Sequence, residues 1–210
     1  MKQFRGCSKV YTADIILDAQ TGKVSYGTPV KAPNVKTISR EIAGDSEEVW
    51  ADNGLDETVY AGASVNRNFG FTRIDPVNEN DWLGNTKVTF GNKTVYGTAA
   101  DGSKRPYKAW AYALHDGDPN KPCLLVWAFR GIVNTISQVA NTIDRGTGSE
   151  GQEAQVTFHK PQVKWTKTNG YELDITLPVD ENTTAEDIEN WFKQVVTYDN
   201  FETIYPTQNT

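Results

Sequence analysis

At 210 residues, with 21 Lys+Arg against 27 Asp+Glu, the chain can bury a continuous core without cysteine or metal staples, which excludes a peptide-sized scaffold. Its 38% hydrophobic and 11% aromatic content is too apolar for a disordered chain, and its 23% charged residues interrupt every stretch that would span a membrane. A net charge of −6 and a pI near 5.0 give no surface that grips nucleic-acid phosphates or anionic lipid, so any contact with DNA is expected to be loose.

The start, Met1-Lys2-Gln3-Phe4-Arg5-Gly6, has basic residues with no apolar stretch behind them, so no secretory signal is read and a cytoplasmic setting is expected. Short runs rich in Val, Ile, Thr, Tyr, Phe and Trp then recur between Gly, Asn, Asp and Pro, the pattern of an antiparallel sandwich or barrel. Strands are predicted over Val10 to Leu17, Lys23 to Tyr26, Val35 to Ile42, Glu47 to Ala51, Thr58 to Ala63 and Val65 to Ile74. A helical turn follows around Asn80-Asp81-Trp82-Leu83, closed by Gly84. Further strands are predicted over Thr86 to Phe90, Thr94 to Tyr96, Tyr107 to Leu114, Leu124 to Val133, Ala154 to Lys160 and Tyr171 to Leu177. Thr21-Gly22, Asp52-Asn53-Gly54 and Gly91-Asn92 supply hairpin turns, because Gly and Asn tolerate positive φ. The alternation of Tyr171, Leu173, Ile175 and Leu177 with Glu172, Asp174 and Thr176 predicts one buried and one wet face. A C-terminal amphipathic helix is predicted from a capping box of Thr183 and Glu186 and a stripe of Ile188, Trp191, Phe192, Val195 and Val196.

Motifs for catalysis or cofactor binding are weak. Gly146, Gly148 and Gly151 satisfy GxGxxG, but a β-like run follows them where a dinucleotide site needs a helix, so Arg145 to Gln152 reads as a polar loop. Asp116-Gly117-Asp118-Pro119-Asn120 begins like a calcium loop, yet Lys121 and Trp127 occupy the positions that require Gly and Glu. His115 and His159 sit in no metal spacing and beside no nucleophile elbow, and read as a turn and a strand histidine. Cys7 and Cys123 read as reduced thiols. The sequons Asn92-Lys93-Thr94 and Asn182-Thr183-Thr184 read as chance matches. Trp50, Trp110 and Trp127 lie inside predicted strands and are expected in the core. No catalytic residue, cofactor or metal is assigned.

Charge is more informative. Glu41, Asp45, Glu47, Glu48, Asp52, Asp56 and Glu57 stand together with no Lys or Arg among them. Glu172, Asp174, Asp180, Glu181, Glu186, Asp187 and Glu189 form a second such block. The other 13 of the 27 acids face all 21 bases, so the remainder of the chain is net positive. An acidic run is often no more than a solvated face. Segregated charge also suits self-association, with acidic surface on one copy meeting basic surface on the next.

Gly6-Cys7-Ser8-Lys9-Val10-Tyr11, Tyr26-Gly27-Thr28-Pro29-Val30, Trp50-Ala51-Asp52-Asn53-Gly54-Leu55-Asp56-Glu57-Thr58-Val59 and Trp82-Leu83-Gly84 resemble the major tail tube protein family of long non-contractile-tailed phages (siphophages) of Gram-positive hosts. Lys108-Ala109-Trp110-Ala111-Tyr112, Trp127-Ala128-Phe129-Arg130-Gly131 and Gly151-Gln152 leading into Ala154 to Phe158 continue the pattern. The resemblance implies a mainly β fold: an antiparallel β-sandwich of the tail-tube type, with a short flanking helix and, here, the C-terminal amphipathic helix. It implies residues 1–163 as the tube domain; after Lys164 the sequence departs from the family pattern, and 164–210 read as a strand-plus-helix extension packed on or decorating the tube. It implies hexameric rings stacked head to tail into a virion tail, assembled in the host cytoplasm with tail tape measure and tail terminator proteins, through which DNA passes without specific binding. On that reading Asp45, Glu47, Glu48, Asp52, Asp56 and Glu57 form a lumen or ring-stacking hairpin. Arg145, Gly146, Gly148, Glu150 and Gly151 form a loop that orders on assembly.

Two other readings stay open. A carbohydrate-binding β-sandwich module or small glycosidase would need exposed Trp beside a cleft or a carboxylate pair flanking one. A tube component of a secretion system or tail-derived bacteriocin would share the fold.

Overall fold

The computed structural model describes residues 4–43, 46–51, 54–60, 64–99, 105–118, 120–138 and 151–206, with the backbone alone described for 42–43, 46–51, 54–60 and 64. Strand β1 (Gly6–Leu17) turns back as β2 (Val24–Tyr26) and β3 (Val30–Ala32), which pair with different stretches of β1. The Asp18 carboxylate holds the turn by accepting the Gln20 and Thr21 amides, and Gly22 takes φ 67°. β3 escapes the sequence reading because three residues show no alternation. β4 (Val35–Ala43) pairs with β7 (Ser64–Phe71), and between them β5 (Ser46–Ala51) and β6 (Gly54–Tyr60) form a separate hairpin.

Helix α1 (Pro76–Leu83) starts at Asp75, whose side chain accepts the Val77 amide, and ends at Gly84 in the left-handed conformation at φ 65°. Pro76 at its start lacks only an N–H that would be free there anyway. A second separate hairpin follows, β8 (Thr86–Phe90) and β9 (Lys93–Gly97), turned by Gly91 at φ 61°. Strands β10 (Lys108–His115), β11 (Leu124–Ser137), β12 (Gln152–Phe158) and β13 (Asp174–Pro178) complete the sheet, before helices α2 (Ala185–Lys193) and α3 (Phe201–Ile204).

Nine strands form one antiparallel sheet in the order β2-β1-β10-β11-β12-β7-β4, with β3 also on β1 and β13 also on β11. The architecture is thus mainly β, with three short helices among the described residues. β11 changes partners along its length: Leu124 to Ala128 pairs with β13 on one side while β10 lies on the other, and Gly131 to Ser137 pairs with β12. Gly131 marks the change, opposite both Lys108 and Phe158. A Cβ there would lie 2.6 Å from Phe158 Cε1 and 2.8 Å from Val156 Cγ1. Gly131→Ala is therefore expected to cost about 1–3 kcal/mol of stability through overpacking, measurable by urea unfolding, and an unchanged midpoint would contradict this fit.

The two halves of the sheet fold face to face. Phe69 of β7 stacks on Trp110 of β10 at 4.7 Å, although those strands are not neighbours in the sheet. Around this pair Val10, Val65, Phe71, Trp82, Tyr112, Val126, Val133, Val156 and Phe158 form the first core. A second core lies on the other face of β10 and β11, where Ala109, Ala111, Ala113, Leu125, Trp127 and Phe129 meet Trp191, Phe192, Val195 and Val196. The small-large alternation of β10 explains the arrangement: its alanines let the C-terminal segment approach the sheet, and its aromatics fill the sandwich.

The C-terminal elements depart from expectation in detail. The capping box is Thr184 with Asp187, one residue beyond the expected pair, because Thr183 is engaged by the Asp180 carboxylate in the preceding turn. Helix α2 stops at Lys193, so Val195 and Val196 are buried from extended chain after Gln194 (φ −148°, ψ 161°) and not from a helical stripe. β13 starts at Asp174: Leu173 packs with the first core while Ile175 and Leu177 pack with the second, so the alternation read from Tyr171 is broken.

Candidate functional site

Four stretches lie side by side as β4, β7, β12 and the second half of β11, and their registers align side chains in cross-strand rows. On the face turned from the first core the rows are Thr37–Gly70–Glu153–Ser137, Ser39–Asn68–Gln155–Thr135 and Glu41–Asn66–Thr157–Ile132. Asn134 donates to Thr157 Oγ1 at 2.6 Å, and that hydroxyl donates to Asn66 Oδ1 at 2.7 Å. The rows contain two carboxylates, Glu41 and Glu153, and no Lys or Arg. A polar, weakly acidic wall of this kind offers a polyanion no counterion-releasing contact.

Both margins of this unit lack a ladder partner among the described residues. β4 approaches β1, but no ladder joins them. Beyond Gly131, where its pairing with β10 ends, that side of β11 has no ladder partner among the described residues. There Arg105 Nη1 donates to the Val133 carbonyl at 3.1 Å and also to the Asn134 carbonyl. Open edges invite pairing with another chain.

Behind the wall, Arg67 of β7 is 1% exposed and forms an ion pair with Asp174 of β13 through Nη2. Its guanidinium lies over Phe158 at 4.7 Å and Tyr112 at 5.5 Å. Lys108 ties β10 to β1 and α1 through Asp14 (2.6 Å) and Asp81 (2.7 Å).

Of the residues singled out from sequence, Glu47 and Glu48 lie on β5, opposite Val59 and Thr58, and Asp56 and Glu57 lie on β6, with Glu57 opposite Val49. Asp45 and Asp52 fall outside the described residues, as do Arg145, Gly146, Gly148 and Glu150. Gly151 precedes β12, and a Cβ there would collide with the Phe71 carbonyl, so close packing against β7 requires glycine. The wall itself escaped the sequence reading because most of its residues are uncharged; strand-by-strand polar alternation at Asn66, Asn68, Glu153, Gln155 and Thr157 is the signal that marks it.

The remaining candidates have structural partners. His115 bridges Ser8 Oγ (Nε2, 2.7 Å) and the Asp118 carbonyl (Nδ1, 2.9 Å), tying β1 to the turn after β10. His159 follows β12, edge-on to Tyr107; burial and Arg130 lower its imidazole pKa. Asp118 closes the Asp116 to Asn120 turn by accepting the Asn120 amide. Cys7 and Cys123 are free thiols. They flank Leu114 of β10 from opposite sides, about two inter-strand spacings apart, roughly 9.5 Å, beyond the roughly 7 Å reach of a disulfide. Trp82, Trp110, Trp127, Trp165 and Trp191 are buried. A groove of about 390 Å³ between β2 and the segment after α2 offers Tyr26 and Trp165 with Lys193, Thr197 and Asn200, but no open aromatic platform for a sugar. Among the described residues no cluster of three or more His, Cys, Asp or Glu is placed to hold a metal ion, and no helix is long and apolar enough to cross a membrane.

The fold and surface together define a mainly β, antiparallel-sheet protein with a few short helices. No family model and no curated protein matches the chain. Among solved structures, a chain of the PVC sheath-tube complex of an extracellular contractile injection system, in its extended state, is 11% identical, with 81% of this chain and 89% of that chain covered and a TM-score of 0.41. A chain of the anti-feeding prophage cap (AFP tube terminating cap) is 9% identical, with coverage of 81% and 88% and a TM-score of 0.40. Both likenesses are distant.

Proposed function

We propose that this chain is the structural subunit of a phage tail tube, forming hexameric rings that stack into the conduit for genome ejection. The observation that carries the reading is the four-stranded unit whose cross-strand polar rows hold no Lys or Arg and whose two margins carry no ladder partner among the described residues. Because four antiparallel strands place β4 and β11 in opposite directions, β4 of one copy can pair with β11 of the next without breaking the alternation. Closure of such a head-to-tail contact gives a ring and removes the open edges. The wall then lines the channel, where its hydroxyls, amides and two carboxylates keep DNA sliding. No bond is made or broken in this work.

On this reading the hairpin bearing Glu47, Glu48, Asp56 and Glu57, with Asp45 and Asp52, serves contact between rings, and the Arg145 to Gly151 connection orders when rings meet. Residues 164–206 add β13 to the sheet beside β11 and lay α2 over its alanine face, on the outside of the tube. The tape measure and terminator proteins that the family resemblance implies would meet the channel and the end ring, in a virion tail. Negative-stain electron microscopy of the purified chain at two concentrations tests the proposal: rings or tubes are expected to increase with concentration, and monodisperse monomers at the higher one would refute it. Glu47→Lys with Glu48→Lys is expected to leave the monomer folded by circular dichroism while impairing tube assembly or DNA passage; unimpaired infectious tails carrying both changes would remove these residues from the site.

A further inference from the structure

The β8–β9 hairpin makes no ladder with the nine-stranded sheet. Its register pairs Val88 with Val95 and Phe90 with Lys93, which sets Val88, Phe90 and Val95 on one face together with Lys93. The three apolar side chains are 41%, 68% and 48% exposed. The opposite face is already a polar surface, with Thr89 and Thr94 hydroxyls 3.3 Å apart between Lys87 and Tyr96. A two-stranded ribbon is marginal in water unless something covers its apolar side. Its base, however, is firmly mounted: Asn85 donates to Asn80 Oδ1 of α1 at 2.7 Å and accepts the Ala99 amide at 3.1 Å, so both ends of the ribbon are held beside α1.

Charge names the occupant. Residues 86–97 carry Lys87 and Lys93 and no carboxylate, whereas residues 46–60 carry Glu47, Glu48, Asp52, Asp56 and Glu57 and no base. The acidic hairpin is inserted at the Ala43/Ser64 end of β4 and β7, while the chain reaches the basic one through the Phe71 end of β7 and α1. Resting on the tube reading above, we propose that the Val88, Phe90 and Val95 face is the docking surface for the acidic hairpin of a second copy in the adjacent ring. Apolar contact covers the exposed ribbon, and Lys93, opposite Phe90 on the same face, selects the acidic partner. A contact between two different surfaces propagates head to tail, so one hairpin pair per subunit extends a stack without limit.

The test compares tube length by negative-stain microscopy and sedimentation for the wild-type chain, Phe90→Ser and Lys93→Glu, each checked for an unchanged unfolding transition. Both variants are expected to give folded subunits or single rings with at least about tenfold fewer stacked tubes, since like charges facing each other repel by kcal/mol amounts. Adding Glu47→Lys and Glu48→Lys to Lys93→Glu is expected to restore stacking. Tubes of wild-type length from either variant would overturn the docking surface, and absence of rescue would overturn the acidic hairpin as its occupant. A wild-type chain that forms no rings at any concentration would instead overturn the tube reading, and the docking with it.

Discussion

Asp174→Ala is expected to lower the unfolding free energy by about 3–5 kcal/mol, because it strands a cation inside the sandwich. Arg67 has almost no solvent exposure, and among the described residues its Nε and Nη1 have no hydrogen-bond partner. Its Nη2 pairs with Asp174, and Phe158 and Tyr112 cover its plane. Arg40 also approaches Asp174, at 3.6 Å, but is 44% exposed and can turn to water. Chemical unfolding in urea gives the measurement. A loss below about 1 kcal/mol would mean that Arg67 is hydrated in the native state. Replacing both partners, Arg67→Met with Asp174→Leu, is expected to recover most of the loss, since apolar groups of similar size often substitute for a buried pair at little cost. Asp174 belongs to β13 and Arg67 to β7 of the four-stranded unit that bears the polar wall, so the single change also loosens the connection between those two parts.

Trp127→Ala is expected to cost a similar amount, about 3–5 kcal/mol, through a cavity beneath α2. Trp127 is fully buried on the alanine side of β10 and β11, and its Nε1 donates to the Trp191 carbonyl at 2.8 Å. Trp127→Phe separates packing from hydrogen bonding: it keeps most of the volume and is expected to lose about 1–3 kcal/mol for the unsatisfied carbonyl. Thermal and urea unfolding of the two variants check the order. Equal losses would show that the hydrogen bond, and not the volume, holds the helix to the sheet.

Strand content was legible because hydrophobic runs and turn residues coincide. Thr86 to Phe90 was read to the residue, and Gly84 and Gly91 stand at the left-handed positions that a helix end and a tight turn demand. Charge near the C-terminus misled by one position: Thr183 and Thr184 are both capping types, and only the Asp180 turn decides which is free to cap. Val195 and Val196 continue a helical stripe in sequence but are buried from extended backbone, since burial alone does not fix conformation. The acidic hairpin caught attention through its charge. The polar wall did not, because Asn66, Asn68, Gln155 and Thr157 become one surface only when β7 and β12 are paired in their particular register. Ser8 and His115, 107 residues apart in sequence, are joined the same way.

The two cores share strands. β10 gives Trp110 and Tyr112 to one and Ala109, Ala111 and Ala113 to the other, and β11 divides itself similarly through Val126 and Ala128 against Leu125, Trp127 and Phe129. Loosening either layer therefore withdraws support from the other, and neither can melt alone. The subunit should behave as a single cooperative block, so that on the proposed tube reading any adaptation to a neighbouring copy falls to the two separate hairpins and not to the shared sheet.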